Sequence, residues 1–189
     1  MAIRYSTVAQ AHEVDQILAL QEVNHRDHID PASAARDGFT SVRHEHEVLK
    51  AMNLARPSVV AWSGAELAGY CLMMPREFAD RVPILEPMFQ LLDTLSWRGE
   101  ALSSNPRWFV MGQVCVAKAY RGMGVFDGMY HHLRDTYRSA YDFVVTEISQ
   151  RNPRSLRAHQ RVGFERLHVY PDPSTGEVWE MVVWDWRSA

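Results

Sequence analysis

Cysteine is scarce: only Cys71 and Cys115 occur in 189 residues. Both stand inside apolar, strand-like runs, as expected for reduced thiols of a cytosolic protein, and a disulfide scaffold is excluded. No apolar stretch is long enough to cross a bilayer, and the opening MAIRYSTV has no apolar signal core. Neither sign of charge dominates. Twenty Lys and Arg against 23 Asp and Glu leave a formal charge of −3, so neither nucleic acid nor an anionic membrane is expected as a partner. The composition also removes collagen, coiled coil and disorder. What remains is a chain with 47% hydrophobic residues, long enough for a core that needs no metal or disulfide. One domain over 1–189 is expected, in a soluble, cytoplasmic protein.

Ile3–Val8 reads as an opening strand, and Val14, Ile17, Leu18 and Gln21 then follow helical spacing. The polar stretch Asn24–Thr40, broken by Pro31 and Gly38, reads as loop with a turn of helix. Val48, Leu49 and Met52 carry a short helix closed by Pro57. Ser58–Trp62 and Glu66–Met74 form a hairpin around Ser63-Gly64-Ala65. Leu85, Met88, Leu91, Leu92 and Leu95 mark a helix within a Pro/Gly-punctuated insertion at about 75–106. A lid or dimer contact and an extra packed helix are equal readings of that segment.

A strand at Trp108–Val116, a helix from Gly122 to Arg138 and a strand at Phe143–Ile148 follow. This strand–helix–strand unit implies a parallel pair with a right-handed crossover. A helix at Pro153–Val162 and two strands, Phe164–Tyr170 and Val178–Trp186, finish the chain around the turn Asp172–Gly176. The class is α/β with a mixed sheet.

Chemistry concentrates after the first strand of that unit, at Tyr120-Arg121-Gly122-Met123-Gly124-Val125-Phe126. A strand that breaks at glycines and restarts as a helix presents unpaired N–H groups at the positive end of the helix dipole, a seat for phosphate. Arg121 adds a planar set of donors. For an isolated G-x-G, a plain tight turn is the better reading. The loop lacks the G-K-[ST] of an ATP-binding P-loop. A dinucleotide fingerprint would need glycine where Asp127 stands, and Gly128 comes one residue late.

Glu147 lies near the carboxyl end of the next strand, where open α/β sheets place ligands. Asn152 precedes Pro153 as a helix N-cap, and Asn152, Ser155 and His159 share one helical face. A paired strand carboxylate and a structural helix histidine are the plain alternatives. The pairs His25/His28, His44/His46 and His131/His132 lack the spacing of a zinc site, so surface histidines and no metal are expected.

The ordered set Val114-x-Val116, Arg121-Gly122-Met123-Gly124-Val125, Glu147, Asn152-Pro153-Arg154-Ser155 and His159-x-x-Val162-Gly163-Phe164 resembles the acetyl-CoA-binding core of the GNAT superfamily of N-acetyltransferases. In the family's [Q/R]-x-x-G-x-[G/A] loop, Phe126 takes the last small position. The resemblance implies a mostly antiparallel twisted sheet with one central, splayed parallel pair flanked by helices. It implies that backbone groups across Val114, Cys115 and Val116 hold the pantetheine arm. Arg121, Gly122, Met123, Gly124, Val125 and Phe126 would cradle the pyrophosphate, and Asn152 and Ser155 would touch the cofactor. His159 stands where many members carry a proton-donating tyrosine, and imidazolium is also a donor.

An amine with a pKa of about 10.4 must lose a proton before it attacks a thioester, and Glu147 is the candidate base. A backbone N–H near Val116 would meet the charge on the thioester oxygen, and Cys115 is a buried strand residue rather than a nucleophile. The expected activity is acetyl transfer from acetyl-CoA to a primary amine, with a small-molecule amine favoured. Asp27, Asp30 and Glu45 are candidates for drawing a cationic acceptor or for a solvated face. A CoA-binding sensor or scaffold and a protein N-terminal or lysine acetyltransferase are the alternatives.

Overall fold

The computed structural model describes residues 2–30, 33, 38–173 and 175–187. Its centre is a seven-stranded sheet in the order β1-β2-β3-β6-β7-β9-β8. The strands are β1 (Arg4–Thr7), β2 (Val59–Ser63), β3 (Glu66–Met74), β6 (Trp108–Val116), β7 (Phe143–Ser149), β8 (Glu165–Asp172) and β9 (Glu177–Asp185). A separate small hairpin pairs β4 (Ser96–Trp97) with β5 (Glu100–Ala101). Every pairing in the large sheet is antiparallel except β6 with β7.

Two helices cover one face, α4 (Val125–Tyr137) and α5 (Pro153–Val162). In α4 the apolar side chains Val125, Met129, Leu133 and Tyr137 recur every fourth residue and bury against Phe109, Val144 and Trp184, while Asp135 and Arg138 stay in solvent. Gly128 of this helix is a contact point. A Cβ there would lie 2.1 Å from the Tyr5 hydroxyl, so only glycine lets β1 rest on α4.

The opposite face carries α1 (Ala11–Val23), α2 (His46–Ala55) and the segment 75–106, which contains α3 (Glu86–Leu92). Phe78, Leu85, Met88, Phe89 and Leu92 of that segment are buried against Trp108, Val110, Phe143 and Val183. It lines neither of the cavities described below, and packing on the sheet accounts for its apolar residues. The expected helix from Leu85 to Leu95 is shorter. Pro83 starts a 3₁₀ turn and the α-helix ends at Leu92, where Thr94 turns its hydroxyl back to Leu91 O (2.8 Å).

Two irregularities open the sheet at its centre. The β6–β7 ladder runs from Trp108↔Phe143 to Val110↔Val145 and stops, although both strands continue. Beyond it β6 stays with β3 to Val116, and β7 stays with β9 to Ser149. The β3–β6 register slips between Leu72 and Met73, which face Gln113 and Met111 and leave Gly112 as the extra residue. A bulge bends its strand, and here it turns β6 away from β7. The Thr146 hydroxyl closes the apex of the split by donating to Met111 O (2.9 Å).

Candidate active site

The split leads into a cavity of about 510 Å³ on the α4/α5 side, lined by residues of β6, the glycine loop, α5 and the Gly38–Thr40 stretch. A smaller one of about 80 Å³ continues past Gly112, Gln113 and Glu147. Val114, Asn152 and Ser155 border both.

Ala117 N–H donates to Ala68 O (2.9 Å) in β3. By antiparallel alternation Cys115 also spends its backbone groups on β3, and Val114 and Val116 turn theirs toward the split. The Val116 carbonyl accepts from Arg121 Nε (3.0 Å), whose guanidinium also donates to Asn24 Oδ1 (2.6 Å). The side chain of Cys115 lies on the far face against Tyr70, and burial pushes its thiol up to about 12. Such a thiol supplies no nucleophile at neutral pH.

Gly122 and Gly124 both have left-handed φ, 79° and 77°. Gly124 is the N-cap of α4 and carries no side chain to cap it; the first intrahelical bond is Gly128 N–H to Gly124 O (3.0 Å). The N–H groups of Val125, Phe126 and Asp127 are therefore available at the cavity wall, while Met123 points outward, exposed. The helix begins at Val125, not Gly122, because the two glycines form the turn that delivers it. Phe126 packs on Tyr130 and His159, each at 5.0 Å between ring centres. Asp127 makes a bidentate pair with Arg161 (2.6 and 2.9 Å), which answers its charge in the first turn of α4.

Asn152 caps α5 by accepting from Ser155 N–H (3.1 Å), and its amide nitrogen faces Phe39 O (3.4 Å). Both ends of the amide are thus occupied within the protein. Ser155 keeps its side chain on the cavity wall, within 3.3 Å of His159 Nδ1. Glu147 is partly buried on β7 and accepts a hydrogen bond from the Tyr170 hydroxyl at Oε2 (2.5 Å). Burial raises its carboxyl to about 7, with the Asp172 charge adding to the rise and the Tyr170 bond opposing it.

His159 departs from the expected arrangement. It is 1% exposed, and its Nδ1 lies 2.8 Å from Ser155 O, an acceptor, so Nδ1 carries the hydrogen. Nε2 then accepts from the buried Tyr130 hydroxyl (2.6 Å). Burial depresses the imidazole to about 4, and a neutral ring with both nitrogens engaged has no proton to deliver at pH 7. The histidine pairs also divide: His25 and His44 are buried, contrary to expectation, while His28 and His46 are half exposed. Among the described residues no three His, Cys, Asp or Glu side chains form a metal-sized group. Asp27 is paired to Arg43 (2.8 Å), and neither Asp30 nor Glu45 is on the wall of these two cavities.

The sequence model of the acetyltransferase (GNAT) family matches residues 20–164. The chain belongs to the GNAT family of acetyltransferases. It is accordingly an acyltransferase that takes its acetyl group from acetyl-CoA. No curated protein sequence matches it. Solved structures of similar fold include the ribosomal-protein-S18-alanine N-acetyltransferase of Escherichia coli, 9% identical, with a TM-score of 0.63 over 97% of this chain and 94% of that one. YncA of Salmonella typhimurium, solved with its cofactor acetyl-CoA, is 16% identical, with a TM-score of 0.63 over 100% and 96%. A chain of the NatC complex bound to Gag peptide and CoA is 16% identical, with a TM-score of 0.64 over 98% and 99%. No helix among the described residues is long and apolar enough to span a membrane.

The cavity's chemistry fits the donor of this GNAT protein, since anion-binding N–H groups and the arginines Arg154, Arg157 and Arg161 line one end. Several of its residues escaped sequence reading. Arg154, Arg157 and Arg161 are spaced i, i+3, i+7, a pattern that was legible. Asn24 and Phe39, and Tyr170 behind Glu147, arrive from distant segments with no local signal.

The two deeply buried neutral histidines make stability depend on pH. His44 and His159 both sit near 4 rather than 6.5 through burial. Below about 6.5 the unfolded chain takes up protons that the fold refuses, so each is expected to remove up to about 3 kcal/mol as the pH falls toward 4. Glu147 acts oppositely between 4.5 and 7 and offsets about one histidine. Urea midpoints should therefore fall between pH 6.5 and 4.5. In a His44→Gln/His159→Gln variant the trend should reverse, and a parallel curve in that variant would refute this assignment.

Proposed function

We propose that this GNAT protein acetylates a primary amine by direct attack on acetyl-CoA, with Glu147 as general base. The observation that carries this reading is Glu147 itself, a carboxyl held at about 7 on the wall of the cavity that continues from the acetyl-CoA cleft. A base whose pKa matches the working pH is about half ionised there and takes a proton effectively.

Acetyl-CoA supplies the activated thioester when bound. Arg121 and the N–H groups of Val125, Phe126 and Asp127, freed by Gly122 and Gly124, would hold the pyrophosphate. Val114 and Val116 would pair with the pantetheine amides and direct an N–H at the thioester oxygen as charge builds there. Ser155 would touch the arm from α5, with Asn152 fixing the start of that helix. His159 supports Phe126 and Tyr130 and is not the acid of this scheme. A thiol pKa of about 8.5 lets the thiolate leave without a dedicated donor.

The roughly 80 Å³ beside Glu147, walled by Phe39–Val42 and Trp179, supports a small amine or an amine on a narrow stem as the acceptor. The decisive experiment is thermal unfolding with acetyl-CoA, with ATP and NAD as controls, followed by thiol release with small amines and with peptide N-termini. At a hundredfold excess over Kd, acetyl-CoA should add about 2.7 kcal/mol and raise Tm by roughly 5–10 °C. No rise would overturn the cleft assignment. A rise without thiol release from any amine would favour a sensor or scaffold, and release with peptides alone would favour a protein acceptor.

A further inference from the structure

Glu147 and Tyr170 stand on strands that are not neighbours, since β9 lies between β7 and β8. Glu147 pairs with Met181 of β9, and Tyr170 pairs with Trp179. The phenol therefore reaches across a whole strand to donate to Glu147 Oε2 (2.5 Å). An irregularity in β8 makes this geometry. Up to Arg166 its register with β9 is Glu165↔Val183 and Arg166↔Val182, but after Leu167 it becomes His168↔Met181 and Tyr170↔Trp179. One extra residue reverses which side chains face each side of a sheet. Without it Tyr170 and Asp172 would point to the α4/α5 side; with it they share the face of Glu147.

We propose that Tyr170 is a positioning residue for Glu147, its hydroxyl holding Oε2 so that Oε1 is left to take the acceptor's proton. The inference rests on the reading of Glu147 as the base. Tyr170 and Asp172 from β8 act on the charge of that carboxyl; His168 of β8 shares its face, in register with Met181, and uncharged Gln113 and Trp179 line the same cavity. The two that reach it from β8 act in opposite senses: the phenol stabilises the ionised form and the Asp172 charge disfavours it. Donation to a carboxylate in a partly dry site also fixes its rotamer, which a free side chain on an open strand would not keep.

The test needs no acceptor. Carboxyl-¹³C glutamate labelling of the full chain gives one resonance that disappears in Glu147→Gln and is thereby assigned. In the unchanged protein it should titrate near 7. Tyr170→Phe keeps the ring on its apolar bed and removes only the hydroxyl; the midpoint should rise by about one pH unit, a tenfold change in the protonation equilibrium. Asp172→Asn should lower it, a sign that general loosening of the site would not produce alongside the rise. A Tyr170→Phe midpoint that stays or falls overturns the positioning role and leaves the base assignment standing. A Glu147 that titrates near 4.5 in the unchanged protein overturns the base assignment itself.

Discussion

Glu147→Gln is expected to lower acetyl transfer by about 10²–10⁴-fold, to leave acetyl-CoA binding nearly unchanged, and to stabilise the fold at neutral pH. The first effect follows from chemistry. Glutamine keeps the shape and still accepts from the Tyr170 hydroxyl, but it cannot take a proton from an ammonium ion. The second follows from position, because Glu147 borders the smaller cavity and not the one that holds the glycine loop. The third follows from linkage. The carboxyl is raised from 4.5 to about 7 chiefly by burial, so the unfolded chain ionises above 4.5 while the fold resists until about 7. Above that the fold carries a poorly solvated charge. Removing it should yield about 2 kcal/mol, allowing for its partial exposure, or roughly 4–8 °C in Tm. Thiol release and urea melts at pH 8 measure both. In the unchanged enzyme the rate should rise with pH through about 7, and that limb should vanish in the variant. Unchanged turnover would remove Glu147 from the mechanism.

This combination, less activity with more stability, is expected where a fold carries a strained group for function. It also marks where sequence reading stopped. The strand β6 and helix α5 were legible to the residue, because alternation, Pro153 after a capping Asn152, and Gly163 at the helix end are local signals. The glycine loop was legible as the turn that opens a helix, although the helix starts three residues later than its pattern suggested. The environments of Glu147 and His159 were not. Glu147 owes its raised carboxyl to burial between strands and, in smaller part, to Asp172, 25 positions further along the chain, against the opposing bond from Tyr170. His159 kept its place in the pattern, but its ring, bonded to Ser155 within its own helix, turns inward to Tyr130, a contact set by the packing of α5 on α4. Spacing reports which face of an element a side chain occupies; ionisation depends on what the other elements bring against it. The partner of Asp127 was hidden for the same reason, since Arg161 comes from a different helix.

Gly124→Ala should weaken acetyl-CoA by tenfold or more while costing little elsewhere. Gly124 holds φ at 77°, and a Cβ there would meet no protein atom within 4 Å. The protein therefore does not forbid the methyl group by packing; the left-handed backbone does, at about 1–2 kcal/mol. In the free variant the loop can relieve that strain by leaving the conformation that aims the N–H groups of Val125, Phe126 and Asp127. Binding the pyrophosphate has to restore it, so the strain is paid out of affinity, at about 1.4 kcal/mol per factor of ten. The methyl also projects from the loop that lines the cleft, adding a steric cost only when phosphate is present. Gly64→Ala is the matched control. Its φ is 62°, a Cβ there also meets nothing within 4 Å, and it turns the β2–β3 hairpin away from either cavity. Neither variant should lose more than about 1–2 kcal/mol of stability, and only Gly124→Ala should lose affinity by isothermal titration with acetyl-CoA. If the two bind acetyl-CoA alike, the α4 terminus is not where the phosphates sit, and Arg121 with the α5 arginines would have to hold them alone.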